Sequence, residues 1–202
     1  ISCKLKIGGH SKGGNIAAYS SIKCRLSVQD RITHTFDHDG PGFRDEVFQS
    51  DGYLILKDRI HKTMPQSSVI GMLLQNQDKY SVVKSNRIWL MQHDPFSWLI
   101  DGVDFEYISS ITKSALYMNE TLNQWINSLD DQKRELFVDT LYNVIKATNA
   151  ATFYDLTEDW QKRAYAVLGA MKEIDETRRF LIQTIRSLFI LAVKNIREAR
   201  KP

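Results

Sequence analysis

With only two cysteines in 202 residues, Cys3 and Cys24, the sequence has no Cys-x-x-Cys spacing, and its five histidines form no metal-type pairs. That argues against a disulfide framework and against a zinc site. The two thiols read as buried groups, one in a strand and one in a helix, of a protein kept in a reducing compartment, so a cytoplasmic location is expected. Long apolar runs are also missing, and none approaches the ~20 residues that cross a bilayer. The net charge is only +3, with no basic block interleaved with aromatics, so the chain carries no electrostatic footprint for nucleic acid. Internal repeats and low-complexity segments are absent too. What remains, 43% hydrophobic and 25% charged residues, is enough to bury a core with no metal, cofactor or disulfide.

Against that background one segment stands out. Gly9-His10-Ser11-Lys12-Gly13 lies between a short apolar run, Leu5 to Ile7, and a run of small residues, Asn15 to Ser21. Cys3, Leu5 and Ile7 alternate as a strand does, and Ile16, Ala17 and Ser20 offer a helix face that packs closely on a sheet. A serine at a sharp strand-to-helix corner between glycines is a nucleophile elbow, and a Cβ at Gly9 or Gly13 is expected to collide with neighbouring backbone. The other reading is a glycine-rich turn whose serine caps the helix. In the elbow reading the backbone N–H of Lys12 supplies half of an oxyanion hole.

In an α/β-hydrolase several strands precede the nucleophile, and one oxyanion N–H comes from an earlier loop. Here only ten residues precede Ser11, and the first is isoleucine. The expectation is therefore the C-terminal part of a longer chain, with little or no esterase activity by itself and prone to self-association through an open first strand.

The texture of the chain changes near residue 109. Before it, short apolar runs broken by turn residues predict strands at Arg31 to Phe36 and Arg59 to Met64, with short helical stretches between Phe43 and Leu56. A short helix is expected over Ser68 to Leu74. Tyr80 to Lys84 and Ile88 to Gln92 read as a strand pair that Ser97 to Tyr107 continues. After residue 109 helical stripes take over. Ala115, Met118, Leu122, Trp125, Ile126 and Leu129 form the first; Phe137, Val138, Leu141, Val144 and Ile145 the second; Trp160, Ala164, Val167, Leu168 and Met171 the third. Asp130 and Thr157 fit as N-caps. A last helix from Glu176 is apolar over much of its girth between residues 180 and 193, suited to burial in a bundle or to contact with a membrane surface or a protein partner. The fold class is α/β: a partial α/β-hydrolase core, from the nucleophile strand onward over residues 1–108, and a C-terminal helical region over 109–202.

A serine attacks at neutral pH only if a base takes its proton. Of the histidines, His10 adjoins Ser11 and should point elsewhere, His34 and His61 lie inside strands, and His38 lies near a strand end. His93 follows the run Ile88 to Gln92, enters a turn at Asp94-Pro95 and comes last in the order serine, acid, histidine. Its alternative is a histidine in a polar turn. The acid should leave the same sheet edge, where Asp37 and Asp39 follow the strand Arg31 to Phe36. Asp39 is preferred because Gly40-Pro41-Gly42 would aim it, although aspartate beside glycine and proline also serves simply as a turn former. Asp58 precedes its strand, and Asp94 is a sequence neighbour of His93.

Four ordered motifs, Gly9-His10-Ser11-Lys12-Gly13-Gly14-Asn15, Asp39-Gly40-Pro41-Gly42-Phe43, Met64-Pro65-Gln66-Ser67-Ser68 and Gln92-His93-Asp94-Pro95-Phe96-Ser97-Trp98, together resemble a bacterial group of lipase-like α/β-hydrolases, the Mbeg-like proteins. The resemblance covers about the first half of the chain. It implies a class 3 lipase-like core with Ser11 and His93 in catalytic positions, and it implies no particular substrate. The wider lipase pattern carries its aspartate three residues before a proline, and before Pro65 that place holds Lys62. Either the acid has moved to Asp39, one strand earlier, or the triad is incomplete.

Three functions follow from these residues. One is a serine hydrolase acting on a small-molecule or lipid acyl ester or thioester, with Ser11, His93 and Asp39 as its triad. Another is a hydrolase fold used as a binding module without catalysis. The third gives the docking role to the helical region.

Overall fold

The computed structural model describes residues 3–75, 79–137, 139, 183 and 187. The chain divides into two compact units, Ile1–Glu120 and Thr121–Pro202. In the first, β1 (Leu5–His10) feeds α1 (Lys12–Lys23), and after a short α2 (Leu26–Gln29) the chain returns as β2 (Ile32–His38), parallel to β1 with Gly8 opposite Phe36. Two short helices, α3 (Asp45–Phe48) and α4 (Asp51–Leu56), lead to β3 (Ile60–Pro65), and β4 (Ser81–Val83) lies beside it, both parallel to the strands before them. A hairpin of β5 (Ile100–Asp101) and β6 (Asp104–Phe105) turns at Gly102, where φ is 64°. β7 (Tyr107–Ile108) then joins the main sheet antiparallel to β4. The order β1-β2-β3-β4-β7 makes a mostly parallel sheet with helical crossovers, an α/β fold.

This order positions the site. Strands β1 to β4 run in one direction, so the segments that follow them all emerge at one edge of the sheet, the edge where such folds gather their chemistry. Ser11 follows β1, Asp39 follows β2, Ser68 follows β3, and His93 lies on the segment after β4.

Burial explains why the elements form. Ala18 and Ile22 of α1 pack on Ile32, Tyr53, Leu56 and Ile60, and the half-buried Leu5 and Ile7 of β1 close that cluster. The face of α1 against the sheet is Gly14, Ala17, Ala18, Ser21 and Ile22, the spacing of a helical stripe. Ile16 and Ser20, expected on that face, point outward, and Ile16 is 53% exposed. A second cluster joins Met64, Met72, Val82, Ile111 and Ala115.

Several expectations change. Ile88 to Gln92 is not a strand: Trp89–His93 forms a 3-10 helix in which the Met91 N–H bonds back to Ile88 O. Its short continuous apolar run mimicked a buried strand, but β7 takes the place beside β4. Ser68 to Leu74 is not a helix but a bend at 69–70 followed by a turn over 71–74, and the Ser68 hydroxyl accepts the Gly71 N–H at 3.0 Å. Cys3 is exposed ahead of β1, and Cys24 sits half-buried at the end of α1, so neither is the buried thiol expected.

α5 (Lys113–Ser128) begins in the first unit, where Ala115 is buried, and continues in the second, where Trp125 and Leu129 are buried. Within that second unit Trp125 meets the Phe137 ring edge-on at 4.9 Å and donates its indole N–H to Ser187 at 2.9 Å. Asp130 caps the next helix by accepting the Lys133 N–H at 2.8 Å. Most of the second helical stripe, all of the third, Thr157 and the 180–193 face lie outside the described residues, apart from Gln183 and Ser187, both helical. Among the described residues no helix is long and apolar enough to cross a membrane.

Candidate active site

The elbow begins with a backbone that few residues adopt. Ser11 has φ 57° and ψ −130°, a conformation that costs of order 1–3 kcal/mol for a residue with a side chain. Its own backbone atoms hold it there: the N–H donates to His38 O at 2.8 Å, and the carbonyl accepts the Asn15 N–H at 3.1 Å. Glycine is needed where the strand and the helix close on each other. A Cβ on Gly9 would lie 2.5 Å from Gly13 C, and one on Gly14 would lie 2.8 Å from Gly9 O and run into the Asp37 carboxylate. Gly13 departs from the expected collision, because a Cβ there would meet nothing within 4 Å. The second obligatory glycine is therefore Gly14, three residues after the serine.

His93 reaches this serine. The Ser11 hydroxyl and His93 Nε2 are 2.8 Å apart, and His93 Nδ1 lies 2.8 Å from Asp39 Oδ2. In the tautomer with the proton on Nδ1, Ser11 O–H donates to Nε2 and Nδ1–H donates to the carboxylate, so one neutral ring satisfies both contacts. The Asp39 side chain is almost fully buried, at 1% exposure, and the ring remains 17% exposed.

Asp39 is also held away from ordinary backbone, with φ 52°. Its N–H donates to Thr63 O at 2.8 Å. Its second carboxylate oxygen accepts a close hydrogen bond from the Ser68 hydroxyl, so both oxygens have partners. Asp37 does not meet His93. It lies inside β2 rather than after it, and its Oδ2 takes the Lys62 ammonium at 2.9 Å. Lys62, where the wider lipase pattern has its acid, is buried on this aspartate.

His10 does not point elsewhere as expected. Its Nε2–H donates to His93 O at 2.7 Å, and its ring lies 4.6 Å from the His93 ring, tilted by 39°. Burial, followed by the neighbouring His93 imidazole, pushes its pKa below the ordinary value, against the pull of that carbonyl. The 3-10 helix is anchored through Gln92, which accepts the Ser67 N–H at 2.9 Å and donates to Arg87 O at 2.7 Å. Asp94 stays local, accepting the Phe96 N–H at 3.0 Å, and Asp58 makes an exposed ion pair with Lys79. His34, Phe36 and His61 stack with one another, and His38 continues the row beside Phe36.

Lys12 opens α1, so its backbone N–H has no acceptor inside the helix and sits at the positive end of the helix dipole. Asn15 ties the helix to the loop after Asp39 by donating to Pro41 O and Gly42 O at 3.0 and 3.1 Å. Sequence reasoning gives His10 and Ser68 no role, and weighs Asp37 and Lys62 only for the place of the acid, not as partners. Of these, His10 and Ser68 lie inside recognisable motifs, whereas nothing local marks the Asp37–Lys62 pair.

Comparison with known proteins places residues 2–143, more than half of the chain, on the model of the Mbeg1-like family. No curated protein and no solved structure matches the chain.

Proposed function

Because the chain belongs to the Mbeg1-like family and its matched span carries Ser11, His93 and Asp39 in one hydrogen-bonded row, we propose that it is a serine hydrolase of the lipase or esterase type, on an α/β-hydrolase core. The bond cleaved is an ester or thioester acyl bond. The observation that carries the reading is the paired contact at His93, with a strained serine on one nitrogen and a buried carboxylate on the other. A serine that only caps α1, or a histidine that only fills a turn, needs neither.

The reaction follows from the geometry. His93 Nε2 takes the Ser11 proton as Oγ bonds to the acyl carbon, and the carbonyl electron pair moves onto oxygen, facing the Lys12 N–H. The Asp39 carboxylate keeps the Nδ1 proton in place and stabilises the imidazolium that results. When the tetrahedral adduct collapses, the C–O or C–S bond breaks and the leaving alcohol or thiol takes the proton from Nε2. Water then repeats the sequence on the acyl-serine, releasing the acid and restoring Ser11.

A panel of chromogenic esters of increasing acyl length tests this. Turnover should vanish in Ser11→Ala and fall by about a thousandfold or more in His93→Ala, with both variants melting as cooperatively as the parent. Turnover undiminished in Ser11→Ala would end the hydrolase reading.

A further inference from the structure

A lysine and an aspartate are buried together beneath the loop after Asp39, with side-chain exposures of 1% and 4%. Burying such a pair gains little, since apolar residues of the same volume are often as stable or more so. Its bonds indicate a different use. Lys62 donates to Asp37 Oδ2 at 2.9 Å and also to Gly40 O in a short contact. Asp37 Oδ1 accepts the Gly40 N–H at 3.0 Å. Both polar backbone atoms of Gly40 are thus gripped by one ion pair, and Gly40 directly follows Asp39, whose φ is 52°.

The same pair touches the elbow. A Cβ on Gly40 would lie 2.6 Å from Ser11 O and 2.8 Å from Asn15 N, and a Cβ on Gly14 would run into Asp37 Oδ1. The loop after Asp39 and the start of α1 therefore close on one carboxylate. We propose that Lys62 and Asp37 are positioning residues: they lock the Gly40 backbone so that Asp39 keeps the left-handed conformation that delivers its carboxylate to His93. Lysine at position 62 then does not replace the acid; it holds the acid one strand away. The effect on turnover rests on the hydrolase reading above, but the effect on the Asp39–His93 contact does not.

The test compares the parent with Lys62→Met/Asp37→Leu, which removes both charges at similar volume, and with Asp37→Asn, which keeps an acceptor for the Gly40 N–H but abolishes the ion pair and turns an amide N–H toward the Lys62 ammonium. In protein labelled with 15N-histidine, the His93 Nδ1 proton is followed by NMR and identified by its absence in His93→Ala. The double variant should unfold cooperatively yet lose that resonance, and kcat for an ester should drop by about 100-fold, as displacements near 1 Å do, with KM little changed. Asp37→Asn should weaken the resonance and lower kcat less; it decides the matter if the double variant does not fold. A folded variant of either kind with the parent's Nδ1 resonance would overturn the positioning role. If the parent hydrolyses no ester, the resonance still decides this inference, while the hydrolase reading fails separately.

Discussion

Replacing Asp39 with asparagine changes one oxygen to an NH2 group and nothing in shape, and the surroundings determine what that costs. The two carboxylate oxygens face different partners, His93 Nδ1 at 2.8 Å and the Ser68 hydroxyl. If the new NH2 faces His93, the ring must place its proton on Nε2, where it can no longer accept from Ser11. That is the wrong-tautomer failure, worth about 10⁴ in kcat in a serine triad. If the NH2 faces Ser68 instead, the hydroxyl must accept from it while already accepting the Gly71 N–H at 3.0 Å; the tautomer survives and only the charge that stabilises the imidazolium is lost. The loss should then be nearer 100-fold, taking two to three kcal/mol of charge-assisted bonding as roughly that factor. Ser68→Ala in the Asp39→Asn background removes the competition and should let the amide settle, moving kcat toward one of the two limits. The assay is steady-state hydrolysis of an activated ester, with thermal melts to establish folding. Near-native kcat in both Asp37→Asn and Asp39→Asn would refute the assignment of an acid altogether.

Further outcomes follow from the same contacts. Gly13→Ala should be neutral or stabilise by about 0.4–1 kcal/mol, because its Cβ meets open space, whereas Gly14→Ala should destabilise and slow turnover; paired melting curves check both. His10 and His38 have pKa values lowered from 6.5, chiefly by burial, so the unfolded chain binds protons more readily. Their contribution to stability is complete above pH 6.5 and is lost as pH falls through the lower folded values; urea midpoints measured down to about pH 5 should decline, and less steeply in His38→Phe. Substituting His10→Phe keeps the ring beside His93 but removes the bond to its carbonyl, and should lower kcat with KM little changed, as measured with the same ester.

The first βαβ unit was legible because local and long-range demands agree there. Leu5 and Ile7 alternate, the residues after Ser11 are small, and glycine stands where strand and helix touch. The phase of α1 was not legible. Ile16 looked like its core residue, but the close approach of Gly14 to Gly9 and Asp37 rotates that side chain outward. The run Ile88 to Gln92 deceived for a related reason: a short continuous apolar run fits a buried strand, and only the partners of Gln92, 25 residues away at Ser67 and five away at Arg87, show why it winds into a 3-10 helix. The order of Ser11, Asp39 and His93 along the chain could be read, since each follows or trails one of the parallel strands β1, β2 and β4. The supports could not, because Lys62 meets Asp37 only through the β2–β3 register, where the two are paired.

In the proposed mechanism Ser11 is a nucleophile activated by His93. Its most direct measurement is peptide mapping by mass spectrometry after brief exposure to a fluorophosphonate. A single adduct on Ser11 is expected, absent in Ser11→Ala and formed far more slowly in His93→Ala. A folded protein that acquires no adduct, or acquires it on another serine such as Ser68, would contradict the account.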